Sequence, residues 1–192
     1  MHHMAIKIFV DQGHNPQNPN AGAEVNGVRE QDINYEVGVR LAALLRADPD
    51  FDVRLSRDTL EEQLGTSNAT SLQARVYEAN TWGADYFVSL HCNTSTNTSA
   101  SGSEAYVYSE STPAYTLAGR ILEGLHDMTG LRNRGVFIRP SLYVLRATSM
   151  PAVLVEMGYM TNANDLYLLT SDPESFARGI YRGIRLYFGM TS

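Results

Sequence analysis

Three side chains capable of chemistry stand just past apolar runs. His14 follows Ile6–Val10, His91 follows Tyr86–Leu90, and Glu156 closes Ala152–Val155. A carboxylate at the mouth of an apolar strand is costly unless it has a partner, a metal or a task. Two imidazoles and a carboxylate are the donor set of an open zinc site, which keeps one position for water. There is no His-Glu-x-x-His helix, so such ligands would have to gather from distant segments. Two more carboxylates compete for the third donor position. Glu30 stands at the start of a helical pattern, where a negative charge also suits the helix dipole, and Glu24 lies in the loop before it. Glu156 is open between ligand and general base. The plain alternative is that His14 and His91 are loop histidines satisfied by backbone groups. His126 falls between Leu125 and Met128 on a helical stripe and reads as a structural or surface residue.

The elements that must position these groups alternate in type. Ile6–Val10 reads as a buried strand, and a loop marked by Pro16, Pro19, Gly22 and Gly27 follows. From Gln31 to Ala47 the apolar residues Ile33, Val37, Leu41, Leu44 and Leu45 fall at helical spacing, and Asp48-Pro49 stops them. Phe51, Val53 and Leu55 alternate with Asp52 and Arg54, which predicts a half-buried strand. Leu72, Val76 and Ala79 mark a second helix, and Tyr86–Leu90 a third strand. Residues 93–101 are nearly all Asn, Thr and Ser, an exposed loop, and 104–108 is β-rich. Pro113 opens a helix that Gly130 ends. Leu142–Leu145 is a short strand candidate before the strand at Ala152. Asn162 or Asn164 caps a short helix, and Asp172-Pro173-Glu174 starts the last one. Gly179 and Gly183 on that helix permit close packing. Strands alternating with helices predict a single α/β domain with a largely parallel or mixed sheet between helical layers. Sites in open sheets of this kind form beyond the carboxyl ends of the strands.

At 192 residues and a net charge of -6, the chain is expected to be one soluble domain without a structural staple. The acidity argues against nucleic acid as a partner. The single cysteine, Cys92, rules out an internal disulfide and any multi-cysteine metal site, and it reads as a buried, inert thiol. No run approaches a membrane span. Residues 1–5 read as a tag remnant ahead of a domain over 6–190.

Four segments resemble one family in the right order. Asp11-Gln12-Gly13-His14 is similar to Asp-Pro-Gly-His, and Arg29-Glu30-Gln31-Asp32-Ile33-Asn34 to Glu-Lys-Asp-x-Asn. Ser89-Leu90-His91-Cys92-Asn93 is similar to Ser-Ile-His-Ala-Asn. Pro151-Ala152-Val153-Leu154-Val155-Glu156-Met157-Gly158-Tyr159 with Thr161-Asn162 resembles Pro-x-x-Leu-x-Glu-x-Gly-Phe followed by Ser-Asn. These are the motifs of the zinc-dependent N-acetylmuramoyl-L-alanine amidases of the amidase-3 group. The likeness runs from Ile6 to Tyr187. It implies a three-layer sandwich with a mixed, mostly parallel six-stranded sheet, zinc on His14, Glu30 and His91, and Glu156 as the catalytic glutamate. It also implies hydrolysis of the bond between N-acetylmuramic acid and L-alanine in peptidoglycan, in the bacterial cell envelope or extracellular space or by a phage lysin; a monomer is expected. Arg57, Asn93, Arg139 and Arg146 are possible groove contacts, each also readable as structural or merely solvated. Gln12 and Asn15 depart from the family's proline and glycine. The stretch 93–102 is too short for the autoinhibitory helical insertion of some relatives, so an open groove is expected.

Overall fold

A computed structural model describes residues 4–190; of the expected tag remnant, residues 1–3 lie outside that range. Six strands form one sheet in the order β4-β1-β5-β8-β6-β7. They are β1 (Ile6–Gln12), β4 (Phe51–Leu55), β5 (Tyr86–Asn93), β6 (Ser103–Val107), β7 (Asn133–Ile138) and β8 (Ala152–Tyr159). A two-stranded hairpin, β2 (Glu24–Val25) and β3 (Val28–Arg29), precedes the first helix. All pairings in the large sheet are parallel except β6 with β8. The mixed, mostly parallel six-stranded sheet between helices is therefore as expected.

The helices among the described residues are α1 (Glu30–Ala47), α2 (Asn68–Trp82), α3 (Pro113–Thr129), α4 (Tyr143–Arg146), α5 (Ala163–Ser171) and α6 (Pro173–Tyr187). Helices α1, α3 and α6 cover one face, where Val10, Val88, Val153 and Val155 meet Leu41, Leu117, Ile121 and Ile180. On the other face Phe9, Phe87 and Leu154 meet Val76 and Ala79 of α2 and Val144 and Leu145 of α4. The alternation of apolar residues within each strand splits the core into these two clusters. Helices α3 and α6 approach to backbone contact: a Cβ at Gly183 would stand 2.4 Å from the Arg120 carbonyl oxygen. The small residues on α6 thus serve the close packing expected of them.

Two expectations need correction. Leu142–Leu145 is not a strand; Tyr143–Arg146 is a single helical turn. Its apolar run fits either period, and tertiary packing decides. The turn buries Val144 and Leu145 against Ala152 and Leu154, while the free edge of the sheet is taken by β7. That strand was missed because Gly135, at φ +101°, interrupts it and only Val136 and Ile138 pack on the core. The second correction concerns length. Strands β5 and β8 run past Leu90 and Val155, so His91 and Glu156 sit within paired strands and not beyond their ends.

Candidate active site

Strand register fixes the first contact. His91 on β5 is the Cα partner of Glu156 on β8, and Glu156 in turn is opposite Glu104 on β6. One row across three strands therefore carries an imidazole and two carboxylates. His14 arrives from the loop after β1 with a left-handed backbone, φ +68°. Gly13 allows this approach, since a Cβ there would lie 2.4 Å from the His91 ring.

Glu30 is the first residue of α1 and is buried at 4% exposure. Its Oε1 lies 3.1 Å from His14 Nε2 and 3.1 Å from His91 Nδ1, and it accepts the Cys92 amide N–H at 3.1 Å. Its Oε2 accepts from the Ala23 amide. Burial pushes the Glu30 carboxyl up, but the two imidazoles outweigh it and hold the group far below the ordinary carboxylate range. One donor atom each from His14, Glu30 and His91 lies within 4.8 Å of the others. Two nitrogens and one ionised oxygen at this separation can hold a small dication. Glu24 is exposed on the β2–β3 hairpin and outside this cluster.

Glu156 is the opposite case. Its Oε2 is buried with no hydrogen-bond partner. Burial, then repulsion from Glu30 and Glu104, pushes its carboxyl up to about 8. The neighbouring Glu104, not singled out in the sequence, is fully satisfied. It accepts from Tyr106 Oη at 2.6 Å, Arg134 Nε at 2.8 Å, Asn93 Nδ2 at 3.0 Å and Tyr159 Oη at 3.4 Å. Burial raises Glu104 too, but these donors hold it below the ordinary range. Two carboxylates side by side thus have opposite fates, because one has donors and the other has none. The signal for Glu104 was its place beside Tyr106 in an alternating strand.

The His14 loop is anchored from α2. Arg75, 1% exposed, donates through Nη1 to Asp11 Oδ1 and the Gln12 carbonyl, both at 2.6 Å. Its Nη2 donates to the His14 carbonyl at 2.7 Å. Asp11 also accepts from Ser89 Oγ at 2.6 Å. The two departures from the family pattern belong to the same scaffold. Gln12 pairs with the Arg57 amide and carbonyl through its side chain, which proline cannot do. Asn15 bonds the Leu64 amide and carbonyl and the Pro19 carbonyl.

The remaining expectations separate cleanly. Arg57 is wholly buried and donates to the Gln31 and Leu60 carbonyls, so it is no groove contact. Asn93 is engaged by Glu104. Arg139 and Arg146 are exposed. His126 bonds the Leu131 carbonyl, a structural role. Cys92 is buried, as expected.

A family profile described as N-acetylmuramoyl-L-alanine amidase, amidase-3, matches residues 8–185. The chain belongs to the amidase-3 family. Among relatives of this amidase, the N-acetylmuramoyl-L-alanine amidase CwlM of Bacillus licheniformis is 35% identical over 191 residues, 97% of this chain and 70% of the relative. An endolysin of Bacillus phage SPP1 is 32% identical over 187 residues, 94% of this chain and 64% of its own. The solved structure of the N-acetylmuramoyl-L-alanine amidase AmiC2 of Nostoc punctiforme superposes with a TM-score of 0.82 at 32% identity, covering 96% of this chain and 97% of that one. The family's reaction is amide hydrolysis in peptidoglycan, and none of the helices described in this amidase is long and apolar enough to cross a membrane.

Proposed function

We propose that residues 6–190 form a zinc-dependent catalytic domain that cleaves the amide between the lactyl group of N-acetylmuramic acid and L-alanine. His14, Glu30 and His91 would hold the metal, and Glu156 would act as general base and then general acid. Zinc bound there supplies a Lewis acid that lowers the pKa of water toward about 7 and polarises a carbonyl. Glu156 takes the proton of the attacking water on its Oε2. It then returns that proton to the L-alanine nitrogen as the carbon–nitrogen bond breaks, leaving a lactyl carboxylic acid and a free amine. With the Glu30 charge offset by such an ion, Glu156 would lose one of the repulsions that push it up, and the carboxylate form needed in the first step would be accessible near neutral pH.

The observation that carries this reading is the buried, unpartnered Glu156 Oε2 in register with His91, beside a cluster of three donors. No helix lies between β5 and β6, which suits an open groove. The domain works as a monomer on muramyl peptides, either in the bacterial cell envelope or as a phage lysin.

Purified sacculi incubated with the protein test this. New L-alanine amino termini are expected, lost with a chelator and reduced about 10²- to 10⁴-fold in Glu156→Gln. New reducing sugar would mean a glycosidase, released D-alanine a carboxypeptidase, and binding without cleavage a wall-binding module.

A further inference from the structure

We infer that the uncovered face of β6 and β7 is a recognition shelf for a stem-peptide carboxylate, read by Arg139. This rests on the amidase reading above and adds a specificity-determining residue to it.

The geometry leads outward from the catalytic row. His14, His91, Leu142, Tyr143 and Leu154 line a cavity of about 130 Å³. Leu154 is the Cα partner of Tyr106 on β6, and Tyr106 is the partner of Phe137 on β7. These side chains share the face of the sheet on which Glu156 stands, two residues after Leu154. Helices α2 and α4 cover that face over the central strands, yet Phe137 remains 37% exposed. The shelf and the cavity beside the two histidines thus lie on one face of the sheet, one strand apart at Leu154.

Over it lies Arg139. Its guanidinium carbon is 5.2 Å from the Tyr106 ring centroid and 5.7 Å from that of Phe137. Its hydrogen bond goes to the neighbouring Ile138 carbonyl, and no carboxylate pairs with it among the described residues. Arg134, by contrast, is taken by Glu104. Two aromatic faces hold the planar fork in place, which reduces the freedom lost when it grips an anion. The segment that carries it is cationic in an otherwise acidic protein. Between Asp127 and Glu156 the chain carries Arg132, Arg134, Arg139 and Arg146 and no acidic residue.

Distance identifies the occupant. Tyr106 is one strand across and two residues along from Glu156, about 8 Å in a sheet with spacings of roughly 4.8 and 3.3 Å. An extended peptide covers that span in about two residues. Because the Arg139 guanidinium lies over the Tyr106 ring, a carboxylate on the stem residue next to L-alanine comes to the Arg139 side of the shelf when the scissile amide lies at Glu156. Bidentate capture of such a group is the pairing that arginine makes best.

The test compares the intact chain with Arg139→Ala and Arg139→Lys on two synthetic muramoyl tripeptides, one with a free carboxylate on the second stem residue and one with its amide. Thermal melting checks that the exposed substitutions leave the fold intact. Arg139→Ala should raise KM about 10- to 100-fold on the carboxylate substrate, leave kcat nearly unchanged and move the amide substrate less than about threefold. Arg139→Lys should keep part of the preference. Equal losses on both substrates, or none on either, would overturn the assignment. Fluorescence anisotropy with both labelled peptides reads binding independently of cleavage. If the unaltered chain cleaves neither peptide, the amidase reading fails. A carboxylate preference in binding that vanishes in Arg139→Ala would still support the shelf, and equal binding of both forms would sink it.

Discussion

At Gly13 a single methyl group meets the His91 ring at 2.4 Å and the Leu90 carbonyl at 2.6 Å. Gly13→Ala is expected to push His91 or His14 out of register and to strain the β1–β5 pairing, because the Leu90 carbonyl is backbone and cannot swing aside. The expected result is loss of most activity, more than about 100-fold, together with a lowered melting temperature, since misplacing a catalytic group by an ångström is that costly and overpacking against backbone destabilises. Activity assays alongside thermal melts check this. Residue by residue, the proposed site was largely legible. His14, His91 and Glu156 betrayed themselves as polar groups closing apolar runs. Glu30 did not, because a carboxylate at a helix start has an ordinary explanation, and the family likeness was needed to prefer it over Glu24. Arg57 looked available and is buried, since nothing in its neighbours Ser56 and Asp58 tells of the Gln31 and Leu60 carbonyls that claim it.

The link between α2 and the β1 loop is a matter of elements. Arg75 ties Asp11, the Gln12 and His14 carbonyls and Asn15 to one helix. Replacing it with alanine leaves Asp11 buried without its counter-charge, which costs about 3–5 kcal/mol when a buried pair is broken. A urea titration is expected to show this as a lower midpoint with an unchanged slope. Unpinning the loop should also weaken metal binding, whereas replacing a solvent-facing arginine such as Arg178 should do neither. The helices and central strands were readable because their burial is periodic. The two failures, β7 and the α4 turn, have separate causes: β7 offers only Val136 and Ile138 to the core around a glycine, and the four-residue α4 turn buries Val144 and Leu145 from an apolar run that fits either period. The network around Arg75 was invisible for another reason: it joins groups 60 or more residues apart.

For the whole molecule, a dication bound at the native cluster and not by the unfolded chain must stabilise the fold. At a metal concentration about 1,000 times Kd the gain is about 4 kcal/mol, or roughly 10 °C for a domain of this size. Differential scanning fluorimetry with added zinc is expected to show that shift in the unaltered protein and in Glu156→Gln, and to lose it in His14→Ala. A shift retained in His14→Ala and lost in Glu156→Gln would reverse the division between ligands and base.

The place of β8 has a bearing on biosynthesis. It occupies the slot between β5 and β6, which leave the ribosome earlier. A nascent chain stopped before Ala152 holds His14, Glu30 and His91 but lacks Glu156, and the edges of β5 and β6 that β8 will pair stay open. Such long-range strand insertion is slow compared with local pairing. The row of His91, Glu156 and Glu104 is therefore completed only once β8 itself has been made, and a chain stopped before it leaves two strand edges unpaired.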